Sequence, residues 1–105
     1  MSGRNWALRI EWHPEAVGEL KKLGTAEQRR IKKVLDELLK LDDPRQKLVP
    51  YSANMKGFWK LRVGDFRLVC QLQETNGVWV LVIGVAHRSV VYDPRHLRRI
   101  EDRRD

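Results

Sequence analysis

The sequence predicts an α+β domain in the order β-α-α-β-β-β-α, an antiparallel sheet with a helical hairpin packed on one face and a short C-terminal helix. Three observations predict it. Residues 6–12 alternate apolar with polar. Residues 14–41 carry apolar positions at helical spacing. Two hairpin-turn dipeptides, Gly64-Asp65 and Asn76-Gly77, divide the apolar stretch between 58 and 86.

In the first element, Trp6, Leu8, Ile10 and Trp12 alternate with Ala7, Arg9 and Glu11, which gives a strand with one buried face. His13-Pro14 stops it, and proline suits the first position of the helix that follows. Ala16, Val17, Leu20 and Leu23 recur at helical spacing, with Gly24 as the stop. Thr25 to Gln28 fits a capping box with Thr25 as N-cap. The second helix then buries a stripe of Ile31, Val34, Leu35, Leu38, Leu39 and Leu41, and Asp42-Asp43-Pro44 ends it. So short a joint makes the two helices an antiparallel hairpin. Residues 45–56 show no periodicity and read as a loop. Strands are expected at 58–63, 66–74 and 78–86, joined by a type II′ turn at Gly64-Asp65 and by Asn76-Gly77. Asp93-Pro94 caps a final helix running to Glu101.

All 105 residues, 1–105, are read as one domain, long enough for folding to bury roughly 66% of the unfolded surface. Hydrophobic residues make up 42%, too many for a disordered chain. The single cysteine, Cys70, excludes an internal disulfide framework and a multi-cysteine zinc site. No apolar run reaches the ~18 residues of a membrane span, and residues 1–12 lack a secretory h-region, so a cytoplasmic protein is expected. Lys and Arg number 21 against 14 Asp and Glu, a net +7 that favours an anionic partner, nucleic acid before an acidic protein.

Register turns the pattern into chemistry. A two-residue turn at Gly64-Asp65 sets Arg62 opposite Arg67 and Lys60 opposite Val69. A turn at Asn76-Gly77 sets Arg67 opposite Ala86, Val69 opposite Gly84 and Gln71 opposite Val82. One face then holds Trp59, Leu61, Val63, Phe66, Leu68, Cys70, Leu72, Leu81, Ile83 and Val85, and belongs against the helices. The other holds Lys60, Arg62, Arg67 and Gln71, with Arg88 projecting nearby and Gly84 leaving a concavity. Like charges directly opposite each other destabilise a ladder unless an anion lies between them, and phosphate suits guanidinium forks. The bland alternative is a solvated polar face.

The run Lys60-Leu-Arg-Val-Gly-Asp-Phe-Arg-Leu-Val69 resembles the core hairpin of the RelE/ParE toxin superfamily of bacterial type II toxin–antitoxin systems. Ala86-His-Arg-Ser-Val-Val-Tyr92 resembles its C-terminal signature, a basic pair followed by a tyrosine. The RelE-like branch implies a ribosome-dependent endoribonuclease that cuts mRNA in the decoding site. Such toxins use the RNA's 2′-OH as nucleophile, leave a 2′,3′-cyclic phosphate, need no metal or other cofactor, and are neutralised by an antitoxin. The resemblance implies catalytic roles for Lys60 in activating the 2′-OH or stabilising the transition state, Arg67 on the scissile phosphate, Arg88 as a second cation, and Tyr92 in stacking on the base and in proton transfer. Arg62 matches a basic position less directly tied to catalysis. Some nucleases of the family carry a further lysine where this chain has Phe58.

The residues bear this chemistry independently. Transesterification needs a proton acceptor and positive charge at the phosphorane, and Arg62, Arg67 and Arg88 supply the charge. Lys60 serves as a base only if nearby arginines lower its pKa. His87 is an alternative acid–base group, although its parity places it on the core side. Gln71 and His87, with the basic face of the second helix (Arg29, Arg30, Lys32, Lys33), complete the expected nucleic-acid-binding set; the helix stripe is otherwise a solvated face. Trp6, Trp12, Trp59 and Trp79 read as structural on parity, and Cys70 as a small buried hydrophobe. The other branch of the superfamily poisons DNA gyrase without cutting RNA, and a non-catalytic RNA-binding module is the third reading.

Overall fold

The structure, a computed structural model, describes residues 8–51, 57–74 and 78–103. Its elements are β1 (Leu8–Trp12), α1 (Pro14–Lys21), α2 (Thr25–Leu38), a 3-10 turn (Pro44–Gln46), β2 (Val49–Pro50), β3 (Phe58–Val63), β4 (Phe66–Glu74), β5 (Val78–His87) and α3 (Pro94–Asp102). They build a five-stranded sheet in the order β1-β5-β4-β3-β2. The β3-β4-β5 meander is antiparallel as expected. β1 pairs parallel with β5, Leu8 opposite Val78, so the sheet is mixed and not wholly antiparallel. Alternation in residues 6–12 sets which side is buried but carries no information about the direction of the neighbour. Trp6 and the Asn76-Gly77 turn lie outside the described residues.

Local chemistry explains the boundaries. His13 caps α1, its ring Nδ1 accepting from the Glu15 N–H at 3.1 Å. The cap of α2 is Gly24 and not Thr25; no side chain closes the expected box, and the Gln28 amide donates instead to the Leu23 carbonyl at 2.9 Å. α2 stops at Leu38, leaving Leu39 and Leu41 in the turn beyond it. The stretch read as a loop contains β2, where Val49 faces Lys60 and Pro50 faces Trp59; two residues are too few to show a period. Asp93 caps α3, accepting from the Arg95 N–H at 2.8 Å.

Helices cover both faces of the sheet, where the sequence placed them on one. On one face, Ala16, Ile31, Leu35 and Leu38 of the hairpin pack on Leu61, Val63, Leu68, Cys70, Val80, Val82 and Val85. On the other, Ile100 of α3 and Val91 pack with Phe58, Val69, Leu81, Ile83 and Ala86. How β5 is shared between the two faces comes from a bulge. Val69 faces Gly84 but Cys70 faces Val82, which leaves Ile83 as the extra residue. Leu81 and Ile83, expected against the hairpin, therefore face α3, and Val80 and Val82 take their place. Gln71 faces Leu81, not Val82. Trp79 turns with Leu81 to the α3 side, under the Arg9 guanidinium at 5.7 Å.

The expected concavity at Gly84 is filled. A Cβ there would stand 2.5 Å from Ile100 Cδ1, so the glycine is what lets α3 seat. Beyond Trp12 the outer edge of β5 has no strand partner among the described residues, and side chains complete it. Glu19 accepts from the Val85 N–H at 2.9 Å, and Arg103 donates to the Ile83 carbonyl at 2.9 Å. Arg103, 8% exposed, forks onto Glu19 at 3.1 and 3.0 Å, tying the end of α3 to α1.

Candidate active site

The site lies on the α3 side of the sheet, at the β2-β3-β4 end. The register there is the expected one, Lys60 opposite Val69 and Arg62 opposite Arg67. Two residues along a strand span about 7 Å, so Lys60 stands about that far from the arginine pair. The turn between β3 and β4 relies on Gly64 at φ +58°. That turn gathers arginines. Arg67 Nη1 donates to the Gly64 and Phe66 carbonyls at 3.0 and 2.9 Å. The Arg88 N–H donates to the Asp65 carbonyl at 2.8 Å, and its Nε lies 3.5 Å from the Asp65 carboxylate. The Arg30 guanidinium arrives from α2, 2.8 Å from where a Gly64 Cβ would sit. Arg62 is exposed, with no acidic partner among the described residues.

The other end of the site is packed. Lys60 Nζ donates to the Tyr92 hydroxyl. The same nitrogen lies 4.4 Å from the Tyr92 ring centroid and 5.0 Å from that of Tyr51. The two rings meet edge to face at 5.9 Å and 64°. Tyr92 is 56% exposed and Tyr51 only 7%. Burial holds the Lys60 ammonium below its ordinary pKa, and the charge of Arg67 adds to this. The direction is the one the chemistry needs, but burial outweighs the arginine crowding from which the sequence argued. Phe58, one pleat further along the same face, is 1% exposed beside Tyr51, so the position where some relatives carry lysine is here a core position.

The structure thus brings Lys60 to Tyr92, sets Arg67 beside Lys60, and holds Arg88 at the hairpin turn with Asp65. It does not bring Gln71 to a surface: Gln71 is 9% exposed, opposite Phe58 on β3 and Leu81 on β5. His87 corrects its parity in the other direction. It is exposed at the end of β5, its Nδ1 accepting from the Ser89 N–H at 3.1 Å and its ring edge-on to Phe66 at 5.5 Å. On α2, Arg29, Arg30, Lys32 and Lys33 are all exposed; Lys32 pairs with Asp36 at 3.1 Å and Arg30 with Glu27 at 3.8 Å. Cys70 is a core residue whose thiol burial pushes up to about 12. Tyr51 is the site residue that sequence reasoning passed over. Its one signal was the extended Val49-Pro50 before it, inside a stretch without period.

Comparison with known proteins places this geometry. The sequence model described as the ParE toxin of type II toxin–antitoxin systems matches residues 10–92. No curated protein sequence matches the chain. A mutant of the Escherichia coli toxin RelE in the free state is 25% identical, with a TM-score of 0.67 over 92% of this chain and 97% of that one. The same toxin in complex with an antitoxin RelB peptide is 29% identical, at 0.60 over 85% and 94%. The RelE–RelB complex from Pyrococcus horikoshii is similar in fold, 22% identical at 0.62 over 78% and 96%. A family match over residues 10–92, on a mixed sheet of this order, makes this chain a member of the ParE toxin family in the RelE/ParE superfamily, a toxin of a type II toxin–antitoxin system.

Proposed function

We propose that this toxin is a ribosome-dependent mRNA endoribonuclease that inhibits translation in the cytoplasm. The observation that carries the reading is the contact of Lys60 Nζ with the Tyr92 hydroxyl, next to Arg67 on a face backed by α3. In the proposed reaction the Lys60 amine takes the proton of the RNA 2′-OH. The 2′-oxygen bonds to phosphorus, and the bond from phosphorus to the 5′-oxygen breaks. Arg67 and Arg88 balance the charge of the phosphorane, and the 5′-oxygen takes a proton from solvent at the exposed rim. The pairing of Arg88 with Asp65 joins two groups that are 65% and 68% exposed, so it is weak enough for a phosphate to displace the carboxylate. Tyr92, exposed and perched on Tyr51, offers a ring on which a base can stack. No residue of this scheme is a metal ligand, and no cofactor is invoked.

Incubation with programmed ribosomes, with naked mRNA alongside, tests this. Cuts on ribosomes only, with cyclic phosphate ends, and none with Arg67→Ala/Tyr92→Phe, are expected. A folded, antitoxin-free protein that cuts nothing would overturn the reading. Inhibition of DNA gyrase without cleavage is the second reading, favoured by the match to the ParE sequence model. It predicts that Arg67→Ala and Tyr92→Phe leave gyrase poisoning intact.

As a type II toxin, the chain has an antitoxin as partner. We propose an acidic, amphipathic antitoxin segment that wraps the helical hairpin or displaces α3, and covers the basic face. A groove of about 560 Å³ between β1, α1 and α2 offers Ile10, Trp12, Leu20 and Leu39 to its apolar side, with Arg29 and Lys32 at the rim. β1 is an edge strand there. A complex unaffected by salt and by charge reversal at Arg62 and Arg67 would rule out cover of the basic face.

A further inference from the structure

We infer that Tyr51 is a positioning residue of the Lys60 site: its buried ring, and not its hydroxyl, fixes both the Lys60 amine and the tilt of Tyr92. The inference rests on the nuclease reading only for its effect on rate; the positioning itself is a property of the free protein.

Three observations carry it. First, Tyr51 cannot move as Tyr92 can. It is 93% buried, its N–H donates to the Phe58 carbonyl at 3.0 Å, and it belongs to the core cluster of Phe58, Val69 and Ile83. Second, both moving parts lean on it. Lys60 Nζ lies 5.0 Å from its ring centroid, and the Tyr92 ring meets it at 5.9 Å. A lysine side chain has four rotatable carbons, and an exposed tyrosine has two torsions; without a wall neither keeps a single position. Third, the hydroxyl takes no part. It is buried without a hydrogen-bond partner among the described residues, so the ring and not the hydroxyl makes the contacts to Lys60 and Tyr92. Burial also pushes this phenol's pKa up, which keeps it neutral and removes it as a proton carrier.

The arrangement has a consequence for substrate. A base stacked on Tyr92 presses its ring toward a wall that does not yield. Stacking therefore holds Lys60 Nζ at the Tyr92 hydroxyl and does not push the pair apart. The sequence carries the device in one place: β2 pairs Pro50 with Trp59, which sets Tyr51 beside Phe58 and under Lys60.

The test compares Tyr51→Phe, which keeps the ring, with Tyr51→Leu, which removes it. Each is checked by thermal melt for a folded chain. Two readouts are taken on the free, full-length protein and on programmed ribosomes. The first is the labelling rate of Lys60 by an amine-reactive ester, taken over a pH series and expressed per neutral amine so that access and not protonation is compared, read by mass spectrometry. The expected result is slow, equal labelling in wild type and Tyr51→Phe, and several-fold faster labelling in Tyr51→Leu. The second is single-turnover cleavage. Tyr51→Phe is expected within about twofold of wild type, and Tyr51→Leu slower by about 10- to 100-fold with ribosome affinity unchanged, the loss a misplaced group produces. Unchanged Lys60 labelling in a folded Tyr51→Leu variant overturns the inference. So does an equal loss in Tyr51→Phe, which would move the role to the hydroxyl. A wild type that cuts nothing, with the labelling pattern as expected, overturns the nuclease reading and leaves the positioning role standing. If Tyr51→Leu does not fold, Tyr51→Met carries the same comparison.

Discussion

Two ends of one sheet face solve different problems with the same kinds of residue. At the Tyr51 end a single cation, Lys60, is held between two rings, partly buried and shifted in pKa. At the hairpin turn four arginines crowd an exposed loop. Arg67 leans on carbonyls, Arg88 on Asp65, Arg30 on the Gly64 turn, and Arg62 lies open to solvent. Burial changes what a charged group can do chemically, whereas exposure leaves it a mobile charge for attracting an anion. On the proposed nuclease reading, the packed end is therefore the place for proton transfer and the open end the place for phosphate.

The residue where the two ends meet is Arg67, and its removal has the largest effect expected. Arg67→Ala should slow single-turnover cleavage by about 10²- to 10³-fold, the scale of losing one group aimed at developing charge. It should also raise the Lys60 pKa, because a neighbouring positive charge is lost. A rate that needs the neutral amine rises with pH, with its inflection below the ordinary lysine value in wild type, and the inflection should move up in the variant.

Next in size is the clamp that seats α3 over the packed end. Arg103→Ala leaves the Glu19 carboxylate without its fork and the Ile83 carbonyl without a donor. Denaturant unfolding should show a loss of about 3 kcal/mol. The rim, at the far side of the face, should keep its salt-dependent affinity for ribosomes.

A smaller effect comes from His96, a buried residue of the first turn of α3. Burial lowers its pKa, with Arg99 and Arg103 adding to this against the opposing Val91 carbonyl and Glu19. The unfolded chain, near 6.5, then binds the proton more readily than the fold. The stability that the neutral ring allows is complete above that value and falls as pH drops below it, levelling only under the lowered folded pKa. His96→Gln should flatten this part of a stability–pH profile.

Smallest, and confined to the open side, is the α2 stripe. Alanine at Arg29, Arg30, Lys32 and Lys33 together should leave stability within about 0.5 kcal/mol per site and reduce the salt slope of ribosome binding. Unchanged affinity at low salt would show that the stripe is only solvated.

The open end was the more legible in the sequence. Gly64-Asp65 set the β3–β4 register, and the register alone placed Arg62 opposite Arg67. The packed end was half legible. Lys60 and Tyr92 were named from the family resemblance, but Tyr51 sits after a two-residue strand, which has no period to read. The β5 bulge hid more. One unpaired residue, Ile83, reversed the faces of Leu81 and Val80 and put Leu81 and Ile83 into the cluster under α3; nothing in an apolar run marks where a residue will be skipped. Gly84 was the available clue, read as a gap when it is a seat for Ile100. Parallel pairing of β1 was likewise invisible, since it depends on where the helical hairpin returns the chain.

The division between the two ends is tested most directly by measuring cleavage rate and ribosome affinity together for Lys60→Met and Arg62→Ala. Lys60→Met should lose rate by about 10²-fold or more at unchanged affinity. Arg62→Ala should lose affinity, with a salt slope lower by about 1, at an unchanged saturated rate. The reverse pattern, or equal loss of both quantities in both variants, would contradict a packed end for chemistry and an open end for phosphate.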